Sequence, residues 1–296
     1  MLNRTSLSII VVATAAVGAV VSLSVTRPAG QAVRAARTVD DHPNFSGIWQ
    51  ANNEAHWDLQ AHAARAGAVI QQGAFDFSYV QVPAAPSLPF GAAGGVPGSV
   101  GVVEGDGQIP YTPEAAAQKQ ENAENWLDRD PEIDCFLPGV PRAMYMPYPY
   151  QIVQSTDKIH IFFAFSNAAR VIHLDDVAPS PIPQSMGHSV GRWEGDTLVV
   201  EVGDFNGRTW FDRAGNFHSD AMRVVERYTL LSPDAIQYEA TIEDPNVYTR
   251  PWTVAMPLTR DPDYQIFEYA CHEGNRAVTN VLAGGRAQEK TASRKQ

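Results

Sequence analysis

One acidic residue, Glu226, interrupts the most regular apolar pattern in the sequence. Counting alternate positions across a three-residue turn at Ser232–Asp234 places four pairs opposite each other: Leu230 and Ile236, Tyr228 and Tyr238, Glu226 and Ala240, and Val224 and Ile242. The positions between them pair opposite charges, as is typical of an exposed face: Arg227 with Glu239 and Arg223 with Glu243. Glu226 is therefore predicted to lie on the buried face, where a carboxylate is costly unless it is paired or protonated.

Two interpretations of Glu226 follow from this position. A carboxylate held inside a protein can act as the general acid or base of a reaction. Alternatively, Glu226 is a structural residue that an arginine side chain or a backbone amide satisfies. Both interpretations are open at the level of the sequence.

Three histidines near strand ends are candidates to share proton transfer with Glu226. His173 ends one predicted strand and His188 begins another. His218 and Asp220 have the same alternation parity as Glu226, so they would point to the same side if their strand extends that far. The predicted catalytic group therefore consists of these three histidines, Asp220 and Glu226.

The direction of His188 depends on the length of the next turn. With a two-residue loop at Gly195–Asp196, His188 and Arg192 share a face with Val199. With a three-residue loop they instead share a face with Leu198. Because side chains alternate along a strand, a change of one residue in the turn reverses the side to which His188 points.

Cations and aromatic residues near these strands are candidate binding groups. Arg192 or Arg142 would stabilise a developing oxyanion. The aromatic candidates for contact with a small apolar or aromatic ligand are Tyr228, Tyr238, Trp193 and Trp252. No HxH, HExxH or CxxC spacing occurs, so no metal or other cofactor is predicted. A metal site built from the three histidines is the alternative.

Short apolar strands separated by turn signals follow one another from Tyr150 onwards. Strands are predicted near 150–155, 158–165, 169–175, 188–193, 197–203, 221–231, 235–243, 251–259 and 264–271. A further strand around Trp49 brings the number to about ten. Strands at regular spacing without intervening helices are typical of a meander, and closure into a ring removes the exposed sheet edges. We therefore predict an all-β fold, an antiparallel up-and-down β-barrel.

The part of the chain before the barrel is less regular. The Ala-rich stretch 59–70 is predicted to form a short helix, and the Pro- and Gly-rich stretch 82–110 a long loop. A second helix is predicted to begin after Thr112, with Pro113 at its first position, and to run to about Trp126. The predicted organisation is a signal peptide at 1–35, a first strand, long loop and helix packing on the barrel at 36–128, the barrel domain at 129–280, and a flexible tail at 281–296.

The first residues resemble a secretory signal. Arg4 precedes the uncharged, apolar run 8–25, and Gly30-Gln31-Ala32 is one possible cleavage site. An uncleaved anchor is the alternative, because the run approaches the length of a membrane span. We predict a periplasmic or secreted protein with no membrane contact after cleavage. In such a compartment Cys135 and Cys271 are predicted to form a disulfide.

The net charge of -11 argues against a nucleic-acid partner. A protein that binds nucleic acid needs a basic face, and no Lys/Arg cluster is present. The predicted partner is a small-molecule ligand or substrate, and the sequence does not indicate an oligomeric state.

Two family resemblances add to these observations. The triplet Gly47-Ile48-Trp49 before a meander resembles the G-x-W opening of the lipocalins, which implies a lipocalin-like barrel. The run Gly187–Val200, GHSVGRWEGDTLVV, resembles the signature of a group of uncharacterised secreted bacterial proteins. Three further segments fit the same group: 135–142, 149–154 and 243–253. This second resemblance implies export and a β-rich fold without implying a reaction.

The leading functional hypothesis is an exported barrel that admits a small apolar or aromatic molecule. In its catalytic form the protein is a cofactor-independent lyase or isomerase that uses Glu226 and histidine for acid–base chemistry. The alternatives are a binding protein without turnover and a metal-dependent hydrolase with histidine ligands.

Overall fold

The computed structural model describes residues 36–72, 77–82, 95–267, 269 and 271. The predicted signal peptide, the predicted tail at 281–296 and part of the predicted long loop lie outside the described residues. Within the described part of the chain, no helix combines the length and the apolar character that crossing a bilayer requires.

The described part of the chain contains eleven strands and two α-helices. The strands are β1 (Gly47–Gln50), β2 (Gly67–Gln72), β3 (Phe77–Val82), β4 (Tyr150–Gln154), β5 (Lys158–Phe163), β6 (Ala169–His173), β7 (His188–Glu194), β8 (Thr197–Gly203), β9 (Arg223–Ser232), β10 (Ala235–Glu243) and β11 (Trp252–Arg260). The helices are α1 (Pro113–Glu124) and α2 (Trp126–Arg129), and a single 3-10 turn covers Arg142–Met144.

Nine strands form a closed barrel in the order β1-β11-β10-β9-β8-β7-β6-β5-β4. The prediction of an all-β barrel is confirmed. One pair, β6 with β7, is parallel, whereas the other neighbours are antiparallel. A ring with an odd number of strands cannot alternate direction all the way round. The crossover at 174–187 returns the chain to the same end of the barrel and supplies the parallel pair.

The first strand closes the ring although it lies far from the others in sequence. Trp49 of β1 pairs with Tyr150 of β4 on one side and with Arg260 of β11 on the other. The Trp49 indole is fully buried and donates to the Phe45 carbonyl at 2.8 Å. The Arg260 guanidinium lies 4.5 Å from its ring centroid, a cation–π distance. Closure therefore depends on pairing between residues about one hundred positions apart on one side of β1 and about two hundred on the other.

Two predicted elements are wrong. The Ala-rich stretch 59–70 is not a helix, since His62 and Arg65 form β-bridges and Gly67–Gln72 is strand β2. Alanine favours a helix only weakly, and pairing with distant segments overrides that preference. The predicted strand at 264–271 is absent from the described residues, where Tyr269 makes only an isolated bridge.

The helix after Thr112 is confirmed. The Thr112 hydroxyl accepts from the Ala115 amide at 3.2 Å, and Pro113 opens the helix. Gly215, at φ +82°, lies where a Cβ would come within 2.6 Å of the Ala123 amide nitrogen. The loop 204–222 and α1 therefore pack in backbone contact, which only glycine permits at this position.

The hairpin of β9 and β10 has the predicted register. Tyr228 faces Tyr238, Glu226 faces Ala240, and the other predicted partners also match. The turn is one residue shorter than predicted, because Ser232 pairs with Ala235 and a bulge follows. Arg227 forms its ion pair with Glu194 of β7, at 3.0 Å from Nη1, and not with Glu239, the partner expected from the sequence.

The barrel interior is occupied by a single hydrophobic cluster. Its largest fully buried members on strands are Trp49, Tyr150, Tyr228 and Tyr238. A barrel of about this strand number encloses just enough space for side chains to fill it or for one small ligand. Glu226 is fully buried among these side chains.

Candidate functional site

Glu226 is paired with an arginine inside the barrel. Its carboxylate is fully buried and faces the guanidinium of Arg170 from β6. Arg170 donates through Nη1 to Oε1 at 3.0 Å and through Nη2 to Oε2. Such a bidentate pair neutralises the buried charge and is stronger than a neutral hydrogen bond.

Two tyrosines complete the surroundings of the carboxylate. The Tyr228 and Tyr238 hydroxyls both donate to Oε1 of Glu226, at 2.9 and 2.8 Å. Arg170 is held in turn by its Nε, which donates to the Ser189 hydroxyl at 2.9 Å. Although burial acts in the opposite direction, the Glu226 carboxylate raises the pKa of Arg170 above its ordinary value. The pair is therefore a charged, well-partnered unit within the core.

Sequence reasoning did not single out Arg170. It alternates with Ile172 on β6, and both residues are buried. That alternation is the signal that would have placed Arg170 on the same side of the sheet as Glu226. The structural interpretation of Glu226, a carboxylate satisfied by an arginine, agrees with this geometry.

Tyr150 is the third tyrosine near Glu226 and differs from the other two. It is fully buried, but its hydroxyl has no hydrogen-bond partner among the described residues. Burial and, to a smaller extent, the Glu226 carboxylate raise the pKa of Tyr150 well above its usual value. The phenol therefore stays neutral, and its unmet hydroxyl is a local cost to stability.

Replacing these tyrosines by phenylalanine should have opposite effects. Tyr238→Phe removes a hydrogen bond to a charged group and should lower the free energy of unfolding by about 1.5–3 kcal/mol. Tyr150→Phe removes only an unpaired hydroxyl and should leave stability unchanged or raise it slightly. Urea unfolding of both variants measures the difference, and a larger loss for Tyr150→Phe would contradict this assignment.

His218 lies in the loop 204–222, outside the barrel strands, because β9 begins only at Arg223. Its Nδ1 donates to the Ser219 carbonyl at 2.8 Å, and its Nε2 accepts from the Thr209 hydroxyl at 2.7 Å. Burial lowers the pKa of His218, in keeping with this neutral tautomer. Asp220 is exposed in the same loop. The prediction that His218 and Asp220 sit beside Glu226 on an extended strand is wrong.

His173 and His188 lie together on the other side of the sheet from Glu226. Their rings stack with centroids 5.5 Å apart, and the Nε2 of His188 donates to the Val177 carbonyl at 2.9 Å. On β6 the buried positions are Arg170 and Ile172, which places His173 on the outer face. The predicted grouping of the histidines with Glu226 is therefore not formed.

The turn after β7 has the shorter of the two lengths considered. Glu194 pairs with Thr197, so the loop is Gly195–Asp196, and Arg192 faces Val199. Arg192 is exposed and binds Glu201 at 2.5 Å. It does not face the barrel interior, where an oxyanion near Glu226 would form.

The other predicted binding residues occupy separate places. Trp193 stacks on His42 with centroids 4.4 Å apart. Trp252 is buried with an edge-on contact to Phe211. Of the predicted aromatic binding residues, Tyr228 and Tyr238 form hydrogen bonds with Glu226.

Arg142 belongs to a second buried ion network. It is fully buried and donates to both carboxylate oxygens of Asp130, at 2.6 and 2.7 Å, and to Glu132 at 3.0 Å. Arg213 binds the same Glu132 through Nε and Nη2, both at 2.8 Å. Burial opposes ionisation of Glu132, but Arg142 and Arg213 lower its pKa to about 2. These arginines therefore hold loops together rather than facing the barrel interior.

A pocket of about 210 Å³ lies next to this network, between α1, α2 and the loops around residues 57–66, 96 and 213–214. We call it the Trp57–Trp126 pocket. Its lining residues are Trp57, Asp58, Arg65, Ala66, Val96, Lys119, Ala123, Trp126, Arg213 and Ala214. No sequence pattern groups these residues, since they come from four distant parts of the chain.

Two indoles and a guanidinium form the wall of this pocket. The Arg213 guanidinium lies 4.5 Å from the Trp57 ring centroid and 5.3 Å from that of Trp126. The two indoles meet edge to face, with centroids 6.2 Å apart. His56 stacks behind Trp57, and burial lowers its pKa to about 3, so the imidazole is neutral. The Trp57 ring is therefore held by contacts within the protein and needs no ligand to order it.

No group of three or more His, Cys, Asp or Glu side chains among the described residues is arranged to hold a metal ion. Comparison of the chain with protein-family models, with curated proteins and with solved structures finds no match.

Proposed function

We propose that this protein is an exported β-barrel protein that binds a small molecule without transforming it. The observation that carries the proposal is the Trp57–Trp126 pocket, which combines a preformed aromatic wall with convergent polar groups. Small-molecule sites place a small number of convergent polar groups beside aromatic side chains, and this pocket contains both kinds of group. The barrel then acts as the scaffold against which loops and helices position the pocket.

Export is supported by the cysteines and the first residues together. Cys135 and Cys271 form a disulfide, which persists in oxidising compartments. The apolar run 8–25 resembles a secretory signal. The proposed location is the periplasm or the extracellular medium.

A lyase or isomerase built on Glu226 has less support. The carboxylate is buried and engaged by Arg170, Tyr228 and Tyr238. A proton-transfer role would require a substrate to reach the buried carboxylate and displace at least one of these partners. The proposed histidine-based hydrolase has less support as well, because His218 lies apart from the pair His173 and His188.

Trp126→Leu should weaken small-molecule binding about tenfold, because it removes one of the two aromatic walls. The measurement is native mass spectrometry of the mature protein with a mixed panel of one-ring compounds, charged and neutral. Phe162→Leu, an exposed aromatic position on the barrel, is the matched control and should bind like the wild type.

Binding of no compound in the panel, or equal binding by Trp126→Leu and the wild type, would refute a ligand site at this pocket. Turnover that is abolished by Glu226→Gln in a folded protein would instead favour the lyase or isomerase.

A further inference from the structure

We infer that the Trp57–Trp126 pocket selects a planar organic monoanion, of which a one-ring aromatic carboxylate is the simplest example. This inference rests on the proposed function and adds the chemical class of the ligand. It is carried by the unbalanced positive charge and the flat walls of one small cavity.

The charge of the pocket is opposite to that of the whole protein. Three cations line it, Arg65, Lys119 and Arg213, against a single carboxylate, Asp58. Glu132 neutralises Arg213 from behind. Arg65 and Lys119 have no ion-pair partner among the described residues. A net positive cavity on a chain of charge -11 is a local exception, and it favours an anion.

The contacts of Arg213 restrict the direction from which it can donate hydrogen bonds to a ligand. Glu132 occupies its Nε and Nη2, which leaves Nη1 unused by that carboxylate. Contact with both indoles and the ion pair with Glu132 restrain the guanidinium. A ligand carboxylate at this point would receive charge-assisted hydrogen bonds from donors whose positions are already restricted.

The shape of the pocket favours a flat ligand of limited size. His56 stacks on Trp57 and Arg213 lies over the same ring. A ligand ring would therefore stack on Trp126 and meet Trp57 edge-on, and these are the two preferred geometries of aromatic pairs. The volume of about 210 Å³ is below the range of roughly 300–1,000 Å³ that holds drug-sized ligands. A single ring with a short anionic substituent fits that limit.

Asp58 restricts the charge of the ligand. It lines the cavity and is held in place by accepting from the Gln60 amide at 3.0 Å. A second negative group on the ligand would approach this carboxylate and be repelled. The pocket should therefore distinguish a monoanion from a dianion.

Isothermal titration calorimetry of the mature protein tests the ligand class with four probes. Benzoate should bind at least tenfold more tightly than benzamide, which is neutral, and than cyclohexanecarboxylate, which is not planar. Phthalate, a dianion, should bind more weakly than benzoate. The comparison with benzamide tests the charge of the ligand, that with cyclohexanecarboxylate tests its planarity, and that with phthalate tests the number of its charges.

Variants of the pocket cations provide a second measurement. Lys119→Gln should weaken benzoate binding about tenfold and leave benzamide binding unchanged, since only the anion gains from the charge. Arg129→Gln is the control: Arg129 is a neighbouring surface arginine, already paired with Glu121 at 2.7 Å, and does not line the pocket. The affinity of the Arg129→Gln variant for benzoate should equal that of the wild type.

The outcomes separate the two proposals. If benzamide binds as tightly as benzoate and Trp126→Leu weakens both, the pocket is a ligand site but the anion preference is refuted. If Lys119→Gln does not affect benzoate binding, the inference fails as well. If no probe binds in a way that depends on Trp126, the proposed ligand site itself is refuted.

Discussion

Arg170→Met should lower the free energy of unfolding by about 3–5 kcal/mol, because it breaks a buried ion pair by removing one partner. Methionine keeps an unbranched apolar side chain but removes the guanidinium, so the Glu226 carboxylate stays buried without a counter-charge. Tyr228 and Tyr238 remain as donors, yet neutral hydroxyls do not supply the counter-charge that the bidentate ion pair provides. Urea unfolding at neutral pH measures the loss.

Two further variants make this prediction specific to the buried charge. The double variant Arg170→Met/Glu226→Gln should recover at least half of the loss, because glutamine is neutral and can still accept from both tyrosines. Arg227→Met is the matched control, since its guanidinium pairs with Glu194 on the exposed side of the barrel. It should cost far less. Equal stability of Arg170→Met and Arg227→Met would contradict the assigned pair.

Removing the disulfide should cost about 4–5 kcal/mol in the chain-entropy description of cross-links. Cys135 and Cys271 are separated by 136 positions, so the bond constrains a large part of the unfolded chain. It also fixes the segment that carries Tyr269, whose ring packs on Tyr148 and Phe165 with centroids 5.1 and 5.8 Å away. Unfolding of Cys135→Ser/Cys271→Ser against the wild type measures the cost.

A reducing agent provides the control for the disulfide. It should shift the unfolding midpoint of the wild type towards that of the double serine variant and leave the variant itself unchanged. A wild-type midpoint that does not respond to reduction, with complete reduction verified by thiol titration, would contradict a stabilising role for this bond.

Local patterns predicted the elements that depend on neighbours in sequence. Alternation and opposite charges set the register of β9 with β10, and Thr112 with Pro113 marked the start of α1. The same reasoning failed at 59–70, where alanine content indicated a helix but distant partners form bridges and a strand. The direction of His188 depended on one residue of turn length, which the structure resolves as the two-residue loop.

At the candidate sites, too, local sequence patterns predicted some features and distant contacts decided the others. Sequence alone indicated that Glu226 is buried, but its partner Arg170 lies on β6, which is not a neighbour of β9 in the ring. His173 and His188 are grouped with Glu226 by their positions at strand ends, and His218 by strand parity. The parity argument fails for His218 because β9 begins after it. The Trp57–Trp126 pocket could not be predicted, because no local pattern joins residues near 57, 126 and 213.

By itself, the sequence determined the barrel class, the inward position of Glu226 and the pairing of its two cysteines. These features follow from two-residue alternation, from turn chemistry and from the presence of only two thiols. The tertiary structure decided that Arg170 faces Glu226, that the histidines lie apart, and that two tryptophans and three cations share a pocket. Barrel closure and loop packing bring together residues far apart in sequence, and contacts at that separation leave no periodic pattern along the chain.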